Sequence, residues 1–154
     1  MDLKIVCSDP KYMPEYANDS DACMDLKVRI DGDNACKDCN YSSIVLPGET
    51  KVFGTGIQVS MPEDHVMLVF PRSSTGIKLH CMLANTTAVI DTGYRDEIKM
   101  AVTNFGKDFV ILDDGQRLAQ FMVIPRPKIN LIPVQDDEDF RSNDRGGGIG
   151  STGR

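Results

Sequence analysis

Hydrophobic and polar residues alternate with a period of two along much of the chain, which is the pattern of half-buried β-strands. The predicted strands occupy residues 26–30, 52–59, 66–70, 109–112 and 118–124, and turn residues rich in proline, glycine and aspartate separate them. Many short strands with regular turns predict an all-β sandwich or barrel of antiparallel sheet. One short helix is predicted after Ser73, which would be its N-cap.

A second pattern predicts a β-hairpin in the middle of the chain. An apolar run at residues 88–90 is followed by a turn containing Gly93, and residues 97–102 then alternate between polar and apolar. Two such strands around a tight turn are typical of a hairpin, in which Gly93 is free to adopt a positive φ. Asp91 and Gly93 alone would be ordinary turn residues. A structural hairpin does not, however, require the three polar side chains found here: Asn85, Asp91 and Tyr94.

Length and charge limit the class of protein. The chain has 154 residues, of which 41% are hydrophobic and 26% are charged, and its net charge is -6. One folded domain is expected, and the negative charge argues against a broad basic surface for nucleic acid. The sequence contains neither a signal-peptide pattern nor an apolar run long enough to cross a membrane. A cytoplasmic protein without a membrane partner is therefore expected.

The five cysteines predict neither a disulfide framework nor a zinc site. Their number is odd in a chain without an export signal. Cys36 and Cys39 form a single C-x-x-C, and the histidines, His65 and His80, are not spaced to complete a zinc site. Reduced thiols are expected. The polar segment 31–43, which contains this pair, has no role that the sequence explains.

The C-terminal residues differ in composition from the rest. Residues 135–139 form an acidic run, and residues 142–154 are rich in glycine with almost nothing apolar. The sequence therefore predicts a folded domain at 1–134 and a flexible arm at 135–154. The glycines would let backbone N–H groups converge on an anion, helped by the donors Arg145, Ser151 and Thr152. The segment lacks the Gly-Lys-Ser/Thr ending of a Walker A loop.

Two further segments carry groups that suit phosphate. Pro71 ends a predicted buried strand, and the next three residues supply a guanidinium and two hydroxyls at a helix start: Arg72, Ser73 and Ser74. Residues 115–120 open another strand with a guanidinium and the amide of Gln120. Taken singly, each segment has a structural interpretation, as a capped turn or a strand edge.

Taken together, five ordered segments resemble the motifs of the trimeric dUTP diphosphatases (dUTPases). The segments are residues 21–26, 71–74, 85–97, 115–120 and 145–153. The resemblance covers essentially the whole chain, and it implies a jelly-roll subunit (a distorted β-barrel) in a threefold homotrimer with active sites at the subunit boundaries. It also implies hydrolysis of dUTP to dUMP and pyrophosphate, which lowers uracil incorporation into DNA and supplies dUMP for dTMP synthesis.

The resemblance assigns roles to the central segment. Asp91 resembles the carboxylate that activates a water to attack the α-phosphorus. Asn85 and the neighbouring backbone, including Ile90, resemble the part that reads uracil. Tyr94 resembles the ring that packs on the deoxyribose and leaves no room for a 2′-hydroxyl.

The remaining roles concern phosphate, metal and the arm. Asp25 resembles the carboxylate that holds Mg²⁺ through water, as suits an ion bound mainly by substrate oxygens. Ile149 stands where the family usually has a phenylalanine that stacks on the base, and an isoleucine has no π-face. The implied phosphate ligands are Arg72, Ser73, Ser74, Gln120 and, from an arm closing over the γ-phosphate, Arg145, Ser151 and Thr152.

Two alternatives remain open at the level of sequence. A dCTP deaminase shares the resembled fold, although residues 91–94 and the glycine-rich arm favour the diphosphatase. The second alternative is a protein-binding regulator that uses its nucleotide site as a switch, since some phage members of the resembled family act in this way. A regulatory protein partner would then be expected at segment 31–43.

Overall fold

A computed structural model describes residues 1–32, 35–36, 42–136, 138–143 and 146. Within these ranges the regular secondary structure is almost all strand, with a 3₁₀ turn at Pro10–Tyr12 and two short α-helices, α1 (Ser73–Ile77) and α2 (Glu138–Arg141). The strands are β1 (Lys4–Cys7), β2 (Met24–Lys27), β3 (Ser42–Val45), β4 (Thr50–Gly54), β5 (Ile57–Ser60), β6 (His65–Pro71), β7 (Cys81–Leu83), β8 (Ala88–Ile90), β9 (Lys99–Asn104), β10 (Val110–Asp113) and β11 (Arg117–Pro125).

The strands form two larger antiparallel sheets and two ribbons. One sheet has the order β2-β11-β6-β8 and the other β4-β9-β7, while β1 pairs with β5 and β3 with β10. Side chains from these sheets meet in one apolar core, whose largest fully buried members include Phe53, Leu26 and Ile57. The fold is the all-β jelly roll that the sequence predicts. No helix of the described residues is long and apolar enough to span a membrane.

The period-two pattern identifies the buried faces correctly. Leu26, Val28 and Ile30 are all buried, whereas Lys27 and Arg29 between them are partly exposed. The predicted strand at 52–59 is divided into β4 and β5 by a turn in which Gly56 has a φ of +73°. A side chain at Gly56 would also collide with the Tyr12 ring, since its Cβ would lie 2.6 Å from Cδ2 of that ring.

The predicted hairpin is wrong. β8 pairs with β6, whereas β9 pairs with β4 and β7, so residues 91–98 carry the chain from one sheet to the other. The N–H of Tyr94 donates to the carbonyl of Asp91 at 3.0 Å and closes a turn there. Gly93 is not among the residues with positive φ; Thr86, in the preceding turn, has a φ of +59° instead.

The N-cap prediction is also wrong by one residue. Arg72 has the extended backbone of an N-cap (φ −73°, ψ 154°), and Ser73 is the first helical residue. The helix is fixed instead by Thr75, whose buried hydroxyl donates to the carbonyl of Leu118 at 2.7 Å. This bond attaches the start of α1 to β11.

The last strand ends close to where the sequence predicts. β11 ends at Pro125, one residue beyond the predicted strand at 118–124, and residues 126–136 follow without helix or strand. Four apolar side chains of this stretch are more than 60% exposed: Ile129, Leu131, Ile132 and Val134. Beyond it, Arg141 makes two hydrogen bonds of 2.5 Å to the carboxylate of Asp136.

Candidate functional site

Polar side chains from three segments meet at the Pro71 end of β6. Gln120 of β11 lies opposite Phe70 of β6 on one side and opposite Asp25 of β2 on the other. The Gln120 amide donates to the carbonyl of Pro71 at 3.4 Å, next to the start of α1. We call this set the phosphate cluster: Asp25, Arg72, Ser73, Ser74, Arg117 and Gln120.

A buried carboxylate organises the phosphate cluster. Only 7% of the Asp25 side chain is exposed, and its two oxygens face Arg72 Nε at 2.9 Å and Arg117 Nη1 at 3.1 Å. One negative and two positive charges leave the cluster with a net charge of about +1, which favours an anion. The position of Arg117 was not predicted, because nothing in the sequence indicates that it pairs with a carboxylate 92 residues away.

The start of α1 adds uncharged donors to these guanidinium groups. The first N–H groups of any helix have no partner within the helix. The hydroxyls of Ser73 and Ser74 have no hydrogen-bond partner within the described part of the chain, and Ser73 is exposed. Backbone and side-chain donors next to two arginines form an arrangement suited to several phosphate oxygens at once.

A second group of candidate residues lies along β8. This strand is at the edge of its sheet, with β6 on one side and no strand paired to its other side among the described residues. Its outer N–H and carbonyl groups are therefore available to a planar ligand that pairs with backbone. Asn85 is exposed before this strand, Ile90 ends it, and Asp91 follows it. We call Asn85, Ile90, Asp91 and Tyr94 the β8 group.

The carboxylate of Asp91 follows the end of β8. Its side chain is exposed and has no hydrogen-bond or ion-pair partner among the residues that the structure describes. Its backbone is nevertheless held in place by the turn to Tyr94. The guanidinium of Arg95 strengthens this turn by donating to the carbonyls of Thr92 at 2.5 Å and Tyr94 at 2.9 Å.

Tyr94 is held by a bond that the sequence does not indicate. Its ring is partly buried against the core, and its hydroxyl donates to the carbonyl of Glu97 at 2.9 Å. The Glu97 carboxylate is in turn paired with Arg29. Arg29 comes from a distant part of the sequence, so sequence reasoning missed this support as well.

Asp91 lies far from the phosphate cluster within one copy of the chain. β8 runs from the Pro71 end of β6, where Ala88 faces Val69, toward its His65 end, where Ile90 faces Met67. With about 3.3 Å per residue and about 4.8 Å between strands, the Cα atoms of Asp91 and Arg72 are about 20 Å apart. One copy therefore brings the predicted phosphate ligands together at the end where β8 begins, after Asn85, and holds Asp91 at the other end.

The donor set limits how a metal ion would bind. No group of three histidine, cysteine, aspartate or glutamate side chains among the described residues is placed to hold one. Both oxygens of Asp25 already face arginines, so this carboxylate fits a contact to Mg²⁺ through water and does not fit direct ligation. Mg²⁺ suits such a site, since it keeps several waters and takes oxygens from substrate phosphates.

The thiols near the site are not arranged for chemistry. The thiols of Cys7, Cys23 and Cys81 are not in disulfides. Burial, and then the nearby charge of Asp25, raises the pKa of the Cys23 thiol, so this side chain stays protonated and is a poor nucleophile.

Four predicted site residues of the arm lie outside the described residues: Arg145, Ile149, Ser151 and Thr152. Cys39, of the C-x-x-C pair, lies outside them as well. The roles given to these arm residues stay predictions from the sequence.

Comparison with known proteins identifies the family. The dUTPase family model matches residues 9–153, so the chain belongs to the dUTPase family. A deoxyuridine 5'-triphosphate nucleotidohydrolase of Escherichia phage T5 is 36% identical over 153 residues, with 98% of each chain covered. The protein of the same description from Cutibacterium acnes is 37% identical over 146 residues, which is 94% of this chain and 87% of that one.

Solved structures agree on the fold. A mutant dUTPase of Staphylococcus bacteriophage 80alpha with dUpNHpp matches with a TM-score of 0.81 at 22% identity, covering 99% of both chains. Phage 80alpha dUTPase is also described in connection with the control of virulence-gene transfer by a proto-oncogenic G protein-like mechanism. A mutant dUTPase of phage phi11 of S. aureus, described with a structural Mg(II) ion, matches with a TM-score of 0.74 at 22% identity, covering 90% of this chain and 99% of that one.

Proposed function

We propose that the protein is a dUTP diphosphatase that hydrolyses dUTP to dUMP and pyrophosphate. Asp91 accepts a proton from a water molecule while the water oxygen forms a bond to the α-phosphorus. The bond from this phosphorus to the bridging oxygen breaks, and pyrophosphate leaves with the bonding electrons. The proton on Asp91 then passes to solvent. In the cell this reaction would keep uracil out of DNA and supply dUMP for dTMP synthesis.

The observation that supports this proposal is the edge of β8, which is free among the described residues, with the Asp91 carboxylate at its end, also unpaired among them. Asn85 and the outer backbone of β8 would bind uracil through hydrogen bonds, as a partner base does. The nucleoside would then lie along the strand, with its sugar near Tyr94 and its α-phosphate near Asp91. An exposed carboxylate without a partner can act there as a general base.

We also propose that the working form is a homotrimer with each active site between two copies. A nucleotide that lies along β8 directs its triphosphate beyond Asp91, away from the Arg72 of the same copy. The phosphate cluster of a second copy would meet it instead. The exposed apolar side chains of residues 126–136 support association, because such side chains in a lone chain are usually covered by a partner.

In this proposal a bound Mg²⁺ ion would neutralise charge on the phosphate oxygens and on the leaving pyrophosphate. The chain would contact it through water at Asp25, while Arg72, Ser73, Ser74 and Gln120 hold the phosphates directly. Arg145, Ser151 and Thr152 of the arm would close over the γ-phosphate, with Ile149 over the base.

Release of pyrophosphate from dUTP, dTTP, dCTP and UTP tests the proposed function. We expect rapid release from dUTP alone, because a closed pocket around C5 rejects the methyl group of thymine and misplaced donors reject cytosine. Ammonia released from dCTP would instead identify the alternative, a dCTP deaminase. Hydrolysis of all four nucleotides at similar rates would contradict base reading by β8.

A regulatory role in addition to hydrolysis is proposed on the kinship with phage enzymes. The partner would be a protein that responds to the nucleotide state, and segment 31–43 is where we would expect it to bind. A pull-down from host lysate with and without a non-hydrolysable dUTP analogue tests this. A protein retained equally by a variant without residues 33–41 would contradict the assignment to this segment.

A further inference from the structure

We infer that Arg29 and Glu97 form a positioning pair for Tyr94 and so set the preference for deoxyribose over ribose. The inference rests on the proposed function, in which the Tyr94 ring packs on the sugar. Neither member of the pair belongs to the β8 group or to the phosphate cluster. The pair would act through Tyr94 and would not touch the nucleotide.

The Glu97 carboxylate is held by three donors. Arg29 Nε donates to Oε1 at 2.9 Å, and Arg29 Nη2 donates to Oε2 at 2.7 Å. This two-point geometry fixes both the position and the orientation of a carboxylate. The N–H of Gly56 also donates to Oε1 at 2.7 Å. Both charged side chains are about three-quarters covered, with 22% of Glu97 and 27% of Arg29 exposed.

The backbone around Glu97 is fixed as firmly as its side chain. The N–H of Ile98 donates to the carbonyl of Ile57 at 3.0 Å, and the buried hydroxyl of Thr55 donates to the carbonyl of Ile98 at 2.8 Å. The Glu97 carbonyl, which accepts the hydrogen bond of the Tyr94 hydroxyl at 2.9 Å, therefore lies between two anchored groups. The Tyr94 hydroxyl therefore donates to a carbonyl whose position is fixed by its neighbours.

The pair packs closely against the backbone at Gly54. A Cβ atom there would lie 2.4 Å from Glu97 Oε1 and 3.1 Å from Arg29 Nη2, so a side chain at residue 54 would displace the pair. The Gly54 carbonyl also accepts a bond from the Arg29 N–H at 2.9 Å. The Glu97 carboxylate is therefore held by the bidentate ion pair, the Gly56 N–H and close contact with the backbone at Gly54.

This rigidity matters because dUTP and UTP differ by one oxygen atom. A binding pocket rejects a slightly larger ligand only if its wall does not yield, and productive sites hold their groups to within about 0.5 Å. The Tyr94 ring packs against the core, and its hydroxyl makes the one side-chain hydrogen bond of Tyr94 among the described residues. The position of the Glu97 carbonyl therefore fixes the outer end of the ring. The Arg29–Glu97 pair supplies this immobility from outside the site.

The test compares the preference for dUTP over UTP in four variants: Glu97→Gln, Tyr94→Phe, the double variant, and the control Asn104→Ser. Preference is measured as the ratio of kcat/KM values and, without turnover, as the ratio of Kd values for dUDP and UDP. We expect each of the first two changes to lower the preference roughly tenfold, the scale of discrimination for one small group. KM for dUTP should change more than kcat.

The double variant distinguishes positioning from general destabilisation. If Glu97 acts through the phenol, the double variant should lose no more preference than either single variant. Buried Asn104 bonds to the Val45 carbonyl at 3.0 Å, so Asn104→Ser should lower the melting temperature without changing the preference. If Glu97→Gln does not fold, Arg29→Lys replaces it, since lysine keeps the charge and loses the two-point bond.

Two results would overturn the inference. One is an unchanged preference in Glu97→Gln or Arg29→Lys together with a lower melting temperature, which would leave the pair only structural. The other is additive loss in the double variant, which would show that Glu97 acts on the sugar by another route. Absence of dUTP hydrolysis in the wild type would contradict the proposed function instead, and the Kd ratios would still test the pair.

Discussion

Arg72 Nε lies 2.9 Å from Asp25 Oδ1, so a guanidinium that would meet the triphosphate is already held by a buried carboxylate. Arg117 shares this carboxylate from the other side. The arrangement prepares the cluster for phosphate before any ligand arrives. Asp25 therefore fixes the positions of the Arg72 and Arg117 guanidinium groups, in addition to the predicted contact to Mg²⁺ through water.

Asp25→Asn should therefore weaken both stability and phosphate binding. The neutral amide leaves two guanidinium groups without their anion, and we expect a loss of about 1–3 kcal/mol in the free energy of unfolding. We also expect kcat/KM for dUTP to fall at least about tenfold, mainly through KM, because Arg72 loses its fixed position. Urea unfolding and steady-state kinetics check this, with exposed Asp108→Asn as control. Unchanged KM would contradict it.

Asp91→Asn and Arg72→Ala should complement each other when copies are mixed. The amide cannot accept a proton from water, so Asp91→Asn alone should turn over at least about a hundredfold slower. In trimers assembled randomly from equal amounts of both variants, about a quarter of the boundary sites would contain one intact half from each copy. Activity should recover to about that fraction. Mixing Asp91→Asn with Asn85→Ala should recover nothing, since both defects lie in the β8 group. Equal recovery in both mixtures would contradict the shared site.

The fold should lose stability in acid through two carboxylates. Hydrogen bonds from Arg29 hold the pKa of Glu97 below its ordinary value. Burial pushes the pKa of Asp114 up, but hydrogen bonds from Ile30, Lys11 and Tyr12 outweigh it and leave the pKa lowered. A carboxylate with a depressed pKa contributes stability above its unfolded pKa of about 4, and this contribution is lost as the pH falls through the folded-state value. Melting temperatures from pH 7 to pH 3 should fall less steeply in Glu97→Gln. Identical slopes would contradict this.

Thr86→Asn should stabilise the protein. A β-branched residue is strained at a φ of +59°, whereas asparagine adopts this region more readily. We expect a gain of about 1 kcal/mol, reduced by loss of the bond from the Thr86 hydroxyl to the Asn85 carbonyl. The melting temperature should rise by about 2–4 °C. Thr87→Asn, where φ is not positive, should give no gain; a lower melting temperature in Thr86→Asn would contradict the strain.

Ile149→Phe should strengthen closure of the arm over the base. Stacking of a base on an aromatic ring contributes about 1–3 kcal/mol, and replacing an aliphatic contact should gain part of this. We expect a severalfold lower KM or slower product release, and the opposite change in Ile149→Gly. Kinetics, with hydrogen exchange of residues 145–153 in the presence of a dUTP analogue, measure both. If neither variant changes KM, kcat or protection, Ile149 does not touch the base.

Sequence patterns predicted which side chains are buried but not which strands pair with each other. The alternation at Leu26, Val28 and Ile30 predicted an inward face correctly, since period two depends only on local geometry. The hairpin prediction failed because β8 and β9 are consecutive strands that belong to different sheets. Consecutive strands often pair, but no local signal shows when the chain crosses the core.

Interactions between distant parts of the chain were likewise beyond the sequence. Asp25 and Arg117 are 92 residues apart, and Arg29 and Glu97 are 68 apart. The motifs placed Asp25, Arg72 and Gln120 in one functional set, and the structure brings these three together. The supporting residues Arg117, Arg29 and Glu97 emerge only when the register of the strands is known.

The length of β6 has a consequence for how activity depends on the amount of protein. Its seven residues keep Asp91 and the phosphate cluster of one copy at opposite ends. If the proposed site is shared between copies, a solitary chain would have two incomplete sites and would hydrolyse nothing, however well folded. Specific activity should fall sharply on dilution below the concentration at which the copies dissociate. Newly synthesised chains should be inactive until their concentration is high enough for them to assemble.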